Sequence, residues 1–309
     1  MSGSQAVCQH VQFAGETDHP YGAQKDGEEQ ELLILVELLG MASAQGVLLP
    51  VSSVRSRAGQ EEITADEMVR RHLQWLVARV GEEVRQALAS HLQNPQEILQ
   101  ILAQDAHSAV RRVAAENPQA AEEVLRLLAQ DKDWQVRRAV ARHPQTPEAV
   151  LRLLARDLDA KIHRAVARHP HVPEEVLRML AQDEDWQVRK AVARHPRTPK
   201  EVLSQLAHDP EVKVRGAMVR NEWITGEVLS ILSRDAFASL RGLVAGHPQT
   251  SAEVLSYLAQ DTHIPVREAV ARREQTPVEG LYTLARDPRA SVRRVVAAHP
   301  RLPAVLLGQ

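Results

Sequence analysis

From residue 91 onward, the apolar positions of the chain fall into pairs of short helical patterns. In one half of each pattern, Val150, Leu151 and Leu154 have the spacing of a single helix face. In the other half, Val136 and Val140 are spaced in the same way. Polar residues fill the remaining positions, so each half is predicted to be a short amphipathic helix that buries one face.

Threonine, proline and histidine mark the ends of these helices. Thr146 precedes Pro147 and Glu148, which is the order of an N-cap, a first helical proline and an acidic first turn. His143 precedes Pro144, and proline disfavours helix in the residue before it. We therefore predict that Thr146 caps the first helix and that the second helix ends near His143. The same threonine recurs at Thr198, Thr250 and Thr276.

The whole pattern repeats with a period of 26 residues, and no insertion breaks the register from residue 91 to residue 309. A fixed period of this length indicates a solenoid, in which each repeat packs on its neighbours. The sequence thus predicts an all-α solenoid of two-helix repeats over 91–309, with a truncated last repeat. One column of it contains His91, Asn117, His143, His169, His195, Asn221, His247, Arg273 and His299.

The first 90 residues depart from this pattern. Residues 65–90 are interpreted as a degenerate N-terminal capping repeat, which opens with the capping box formed by Thr64 and Glu67. Residues 1–64 are interpreted as an acidic extension that is partly disordered and contains one helix at 28–40. That helix is apolar on all sides, so it must be buried either on the solenoid or on a partner. Residues 1–90 contain 7 Lys+Arg and 13 Asp+Glu, against 31 and 27 in the repeats.

Composition narrows the class of protein. The chain is 44% hydrophobic and 25% charged with a net charge of −2, which is ordinary for a soluble protein. Aromatic residues make up only 3%, so Leu, Val and Ala must build the core. Cys8 is the only cysteine, which excludes an internal disulfide and fits a reducing compartment. Without a signal peptide or a membrane-spanning run, we expect a cytoplasmic protein with no membrane partner.

The repeat consensus resembles that of a known family. The pattern His/Asn-Pro-x-Thr-Pro-x-x-Val-Leu-x-x-Leu-Ala-x-Asp, followed by Val-Arg-x-Ala-Val-Ala, is similar to the leucine-rich repeat variant family over residues 65–309. This resemblance implies helices of α and 3₁₀ type that alternate and wind into a right-handed superhelix. HEAT-type repeats, which share the Asp and Val-Arg elements, are the alternative fold.

The best-known architecture of that family also has an N-terminal iron–sulfur cluster held by clustered cysteines. Cys8 stands alone, and a cubane cluster needs about four thiolates. This cofactor therefore does not carry over, and we expect no cofactor. The sequence also lacks a Gly-rich phosphate loop, a nucleophile elbow and a metal-spaced His/Cys cluster, so we expect no enzymatic activity.

The most regular polar feature is a column of aspartates with a basic column six residues further on. We expect each aspartate to accept backbone N–H groups at the start of a second helix and each arginine to tie adjacent repeats together. A charged binding track is the alternative, but a feature present in every unit serves what all units share, which is stacking. The columns contain Asp105, Asp131, Asp157, Asp183, Asp209, Asp235, Asp261 and Asp287, and Arg111, Arg137, His163, Arg189, Arg215, Arg241, Arg267 and Arg293.

The histidine column suggests a metal site, but its spacing argues against one. Adjacent helices stand about 10 Å apart, whereas the ligands of one ion must lie within a few ångströms of each other. Asn117 and Asn221 also occupy the column, which suits a turn or capping role. We therefore expect a structural role for the histidines and no metal.

A second basic column is interrupted, which distinguishes it from the first. Cations occupy it in four successive repeats, and the charge is then lost at Gly216 and Gly242. The residues four positions further on share the same helix face, and three of them are also basic. We define the basic patch as Arg112, Arg138, Arg142, Arg164, Arg168, Lys190 and Arg194.

Trp134 and Trp186 lie beside the basic patch in one column, two repeats apart. Tryptophan beside arginine is typical of binding hot spots, although these rings also suit a gap between layers. We expect the patch to bind an acidic surface of another protein, which makes the chain a scaffold or adaptor. Binding of nucleic acid through its phosphates is the alternative. A solvated face balanced by the glutamates of the first helices is the structural interpretation. A further interpretation is that the acidic N-terminal segment folds over the patch.

Overall fold

The structure is a computed structural model that describes residues 54–55, 62–63, 65–91 and 96–301. The chain divides into two compact units, residues 1–98 and 99–309. The predicted apolar helix at 28–40 lies outside the described residues, and so does the end of the truncated last repeat, residues 302–309.

In the first unit, a pair of two-residue strands precedes two helices. Strands β1 (Val54–Arg55) and β2 (Glu62–Ile63) pair antiparallel, with Val54 opposite Ile63. Helix α1 is Ala65–Val77 and helix α2 is Glu82–Ser90. These two helices occupy the segment that the sequence predicts as a capping repeat. Their buried residues include Leu73, Leu76 and Leu88.

From residue 96 to residue 301, short α-helices alternate with turns. The first helices of the successive repeats are α3 (Gln96–Leu102), α5 (Glu122–Leu128), α7 (Glu148–Leu154), α9 (Glu174–Leu180), α11 (Lys200–Leu206), α13 (Gly226–Leu232), α15 (Ala252–Leu258) and α17 (Val278–Ala285). The second helices are α4 (Ser108–Glu116), α6 (Trp134–Arg142), α8 (Ala160–Val166), α10 (Trp186–Arg194), α12 (Val212–Met218), α14 (Ala238–Gly246), α16 (Ile264–Ala271) and α18 (Ala290–Ala297).

The predicted all-α solenoid of two-helix repeats is confirmed. The second halves, which the family resemblance allowed to be 3₁₀ helices, are α-helices wherever the structure describes them. In the second unit, the second helices of consecutive repeats pack on one another from α4 through to α18. Each repeat therefore makes its contacts with its neighbours, as a solenoid requires.

The predicted apolar faces form the core. On α7, Val150, Leu151 and Leu154 are buried, and on α6 Val136 and Val140 are buried. The aromatic side chains of the described residues stay outside this core, which is built from leucine, valine, isoleucine and alanine, with a methionine in one repeat. Small aliphatic side chains allow short helices to stack closely.

The prediction that Thr146 is an N-cap is wrong. Pro147 is the N-cap of α7, and the hydroxyl of Thr146 instead donates to the carbonyl of Val140 at 2.5 Å. The last turn of a helix leaves carbonyls without helical partners, and this threonine satisfies one at the end of the preceding helix. The same bond is made by Thr198, Thr250 and Thr276.

Candidate binding surface on the second helices

An arginine ladder joins the consecutive repeats. Arg137 donates from Nε to Oδ2 of Asp157 at 2.6 Å and from Nη2 to Oδ1 at 3.1 Å. Its Nη1 donates to the carbonyl of Asp131 at 2.7 Å, within its own repeat. The carboxylate partner thus belongs to the next repeat, 20 residues on. The other arginine rungs of the ladder are Arg111–Asp131, Arg189–Asp209, Arg215–Asp235, Arg241–Asp261 and Arg267–Asp287.

The aspartates of the ladder are fully used inside the fold. Oδ1 of Asp157 also accepts the backbone N–H of Asp159, at 3.0 Å. Burial raises the pKa of Asp157, but the hydrogen bonds from Arg137 and from this N–H outweigh burial and hold the pKa below its ordinary value. Because both charges of each rung are engaged, the ladder leaves neither for a ligand.

One rung of the ladder has histidine in place of arginine. Nδ1 of His163 lies 2.6 Å from Oδ2 of Asp183. Its Nε2 is buried and meets no hydrogen-bond partner among the described residues. This rung keeps the contact between repeats but lacks the bond that arginine makes to the preceding carbonyl.

The histidine column forms a second chain of bonds between repeats. Nε2 of His169 lies 2.9 Å from the carbonyl oxygen of His143, and Nδ1 accepts the backbone N–H of His171 at 3.2 Å. These partners assign the proton to Nε2. Burial lowers the pKa of His143, His169 and His195, so the neutral form is favoured. In the described part of the chain, no group of His, Cys, Asp or Glu side chains is arranged to hold a metal ion.

The basic patch borders two cavities that lie between neighbouring second helices. The first cavity lies between α6 and α8 and has a volume of about 350 Å³. The basic side chains that line it come from two consecutive repeats. They are Arg138, Arg142, Lys161, Arg164 and Arg168, with Trp134 on one wall.

The second cavity follows one repeat later and has a volume of about 330 Å³. Arg168 lines both cavities and connects them. Trp186 also lines it, but Trp134 belongs to the earlier of the two repeats around the first cavity and Trp186 to the later of the two around the second. The remaining cations of the second cavity are Lys190 and Arg194. We define the cationic face as the residues of the two cavities that carry charge or an indole ring: Trp134, Arg138, Arg142, Lys161, Arg164, Arg168, Trp186, Lys190 and Arg194.

No carboxylate of the described residues forms an ion pair with any cation of the cationic face. Arg164 donates instead to the neutral side-chain amide oxygen of Gln187. Burial lowers the pKa of Lys190, and the nearby charges of Arg194 and Lys213 lower it further. A lysine whose pKa is depressed by its neighbours reports a locally positive potential.

Lysines that the sequence analysis missed lie over both tryptophan rings. Nζ of Lys161 is 4.0 Å from the ring centroid of Trp134, and Nζ of Lys213 is 4.6 Å from that of Trp186. Each lysine follows its tryptophan by the same interval, one repeat plus one residue. This constant interval is the signal that would have revealed the pairs. Cation–π contact holds each half-buried ring between adjacent repeats.

The cationic face ends where the sequence pattern changes. On one side, Arg112 pairs with Glu116 at 3.1 Å and lines neither cavity. On the other side, Gly216 and Gly242 remove the side chain of the interrupted column. Glu268 then pairs with the next arginine along its own helix. The predicted patch and the cationic face therefore differ at one end, where Arg112 is neutralised.

The exposed arginines of the first helices are arranged differently. Arg152 pairs with Glu148 at 3.0 Å and with Glu175 of the next repeat at 2.8 Å. Arg178 pairs with Glu174 at 3.5 Å. Arg126 pairs with Glu122 in the same way. The predicted balance of charge by glutamates thus holds on the first helices and does not extend to the cationic face.

A larger cavity, of about 580 Å³, lies beside the ladder rung formed by Arg215 and Asp235. Asp209, on its wall, is held by the preceding rung. The two aspartates that line the cavity, Asp209 and Asp235, are therefore both neutralised by arginines. Arg234 is the one charged residue of its wall that pairs with no carboxylate of the described residues, against a run of such cations on the cationic face.

The described helices lack the length and apolar character needed to cross a bilayer. Their two-helix units, joined by a ladder in every repeat, define the chain as a helical-repeat solenoid protein. Residues 134–159, 162–185 and 186–211 each match the family model described as leucine rich repeat variant.

Similarity to solved structures agrees with this match. A structure titled as a leucine-rich repeat variant with a novel repetitive protein structural motif is 27% identical, with a TM-score of 0.54. The alignment covers 74% of this chain and 85% of that one. Three consecutive repeats within residues 134–211 therefore match the leucine-rich repeat variant family, as the repeat pattern predicts.

A more distant likeness is to the Escherichia coli protein YibA, at 15% identity and a TM-score of 0.40. It covers 77% of this chain and 99% of that one. A search of the curated proteins found no match to this chain. The single cysteine, Cys8, does not fit the cysteine cluster of the iron–sulfur members of the family.

Proposed function

We propose that this protein is a non-catalytic binding scaffold and that its cationic face binds an acidic surface of another protein. One observation carries the proposal. A run of cations that pair with no carboxylate of the described residues lines two consecutive cavities, whereas the exposed arginines of the first helices α5, α7 and α9 are paired with glutamates. The family resemblance supports a binding role in general.

The chemistry of the face suits an anionic partner. Clustered cations of one sign raise the local concentration of an anionic ligand and speed its association. Arg142, Arg168 and Arg194 are exposed and recur once per repeat, so they present guanidinium groups in a row. Guanidinium groups bind carboxylates through paired, charge-assisted hydrogen bonds. The part of each tryptophan ring that Lys161 or Lys213 leaves uncovered adds apolar area to this surface.

Nucleic acid is the second candidate, because phosphates would also neutralise these cations. Binding of single strands usually adds stacking of bases on aromatic rings. Here Lys161 and Lys213 lie over the rings of Trp134 and Trp186, so a base would have to displace a lysine to stack. This geometry favours a protein partner over a nucleic acid.

Affinity capture from the lysate of the native host, with and without nuclease, tests the proposal. Three baits are compared: the wild type, a patch variant (Arg142→Gln, Arg168→Gln, Arg194→Gln) and a first-helix variant (Arg126→Gln, Arg152→Gln, Arg178→Gln). The two variants lose the same charge with the same one-repeat spacing. We expect a protein that survives nuclease and is captured by the wild type and the first-helix variant, but not by the patch variant.

Recovery of nucleic acid by the wild type, with every protein partner lost after nuclease, would make the second candidate correct. Capture of the same material by all three baits would show that the cationic face is a solvated surface. Circular dichroism of each bait controls for loss of the helices.

A further inference from the structure

The cationic face has a repeat of its own. Arg138, Arg164 and Lys190 recur once per unit of the solenoid, and so do Arg142, Arg168 and Arg194. Arg168 belongs to both cavities, so no neutral wall separates them. A single ligand that runs from one cavity to the next would therefore meet the same two basic columns at a fixed interval.

That interval matches an extended polypeptide. Packed neighbouring helices stand about 10 Å apart, and a chain in the extended polyproline II conformation advances about 3.1 Å per residue with three residues per turn. About three residues of such a chain therefore span one repeat. Side chains three residues apart point to the same side of it and would lie over consecutive cavities.

From this geometry we propose that the cationic face binds an extended acidic peptide segment in which a carboxylate recurs at every third residue, with one carboxylate per cavity. The inference rests on the proposed function and adds the conformation and spacing of the partner. Each carboxylate would accept hydrogen bonds from the guanidinium groups of its cavity. The carboxylate nearest the shared wall would contact Arg168.

The high negative charge that the partner segment needs in order to offset these cations favours an extended segment over a helical one. A segment acidic enough to offset this many cations carries like charges a few residues apart. Like charges one turn apart destabilise a helix, and charged segments repel themselves and extend. The exposed row formed by Arg142, Arg168 and Arg194 lies open to such a segment along its length.

Three synthetic peptides of identical composition test the spacing. Each contains three glutamates in a background of serine and glycine and carries a neutral fluorophore. The glutamates are placed at every third residue, at every second residue or in one block. We expect fluorescence anisotropy to show that the every-third peptide binds the full-length protein about tenfold more tightly than the others, the factor that one charged hydrogen bond supplies.

Two single substitutions place the site. Arg168→Gln removes the shared cation, so it should abolish the advantage of the every-third peptide. Arg272→Gln is the matched control. Arg272 occupies the same column but pairs with Glu268 and lines neither cavity, so its loss should leave the advantage intact.

Equal binding of all three peptides would overturn the proposed spacing, while sensitivity of that binding to Arg168→Gln would leave the proposed function standing. Tighter binding by a helical peptide with glutamates two turns apart would overturn the extended conformation. Failure of every peptide to bind would also overturn the inference, and the capture experiment would then decide the proposed function separately.

Discussion

Two adjacent arginines on helix α6 differ in ion pairing: one pairs with a carboxylate, and the other pairs with no carboxylate of the described residues. Arg137 points into the ladder, where both oxygens of Asp157 and a backbone carbonyl take up its donors. Arg138, the next residue, points to the first cavity, where no carboxylate of the described residues pairs with it. The same division separates Arg189 from Lys190 on α10. One helix thus supplies both a stacking bond and a binding group.

The difference between these columns shows how a repeat protein separates stability from binding. The ladder column is basic in every repeat because every repeat must stack on the next. The neighbouring column is basic in only part of the solenoid, because stacking does not need it. An interrupted column beside an uninterrupted one is therefore the better indicator of a binding surface.

The largest expected effect comes from breaking the ladder. Arg189→Ala leaves Asp209 with an unpaired carboxylate that is almost wholly buried, so we expect a loss of about 3 kcal/mol in the free energy of unfolding. Lys190→Ala, one residue away, should cost less than about 1 kcal/mol. Urea unfolding of the two variants measures both values. Equal losses would contradict the division of roles between the columns.

The buried histidines of the column should make the free energy of unfolding depend on pH near neutrality, where arginine side chains do not titrate. Burial lowers the pKa of His143, His169 and His195 in the folded chain, so the unfolded chain takes up protons at a higher pH. The stabilisation is therefore present above about pH 6.5 and is lost progressively as the pH falls below it.

Asparagine offers a matched replacement for these histidines. In the same column, Asn221 donates to the carbonyl of His195 at 3.1 Å and accepts the N–H of Trp223 at 2.9 Å. The triple variant His143→Asn, His169→Asn, His195→Asn should keep its stability at pH 7.5 and lose most of the decrease in melting temperature on acidification to pH 5.5. An unchanged acid response would assign the pH dependence to other groups.

Restoring the interrupted column should extend the binding surface. A Cβ atom at Gly216 would meet only Leu240, at an ordinary contact distance of 3.9 Å, so this position accepts a side chain without a clash at its first atom. Gly216→Arg should raise the affinity for the every-third peptide about threefold, as one more exposed ion pair would. It should also stabilise α12 by roughly 0.5 kcal/mol, because glycine is a poor helix former. Gly242→Arg, one repeat further away, should raise the affinity less.

The smallest effect is expected on the first helices. Arg152 is exposed, and its pairs with Glu148 and Glu175 are screened by solvent. Arg152→Gln should leave both the urea midpoint and the affinity for acidic peptides close to those of the wild type. A marked loss of peptide affinity would show that paired arginines also bind the ligand.

The repeat period was sufficient to predict the helices, the buried faces of residues such as Leu151 and Val140, and the columns that form the ladder. It failed where a side chain could serve either of the two helices that flank it. The hydroxyl of Thr146 reaches back to Val140 rather than forward to α7. The sequence carried the signal for ion pairing, because Arg112 and Arg138 occupy the same column and only Arg112 has a glutamate four residues on. It also carried the signal for Lys161 over Trp134, because each lysine follows its tryptophan by one repeat plus one residue. Neither signal was used in the prediction.

The most direct test of the account is the affinity of an oligoglutamate peptide for the wild type, the patch variant and the first-helix variant at one ionic strength. The two variants lose the same three charges from opposite helices of the repeat. We predict that the patch variant binds about tenfold more weakly than the wild type, as expected for three exposed ion pairs, while the first-helix variant binds like the wild type. Equal weakening of both variants would show that binding depends on net charge alone and would contradict a distinct cationic face.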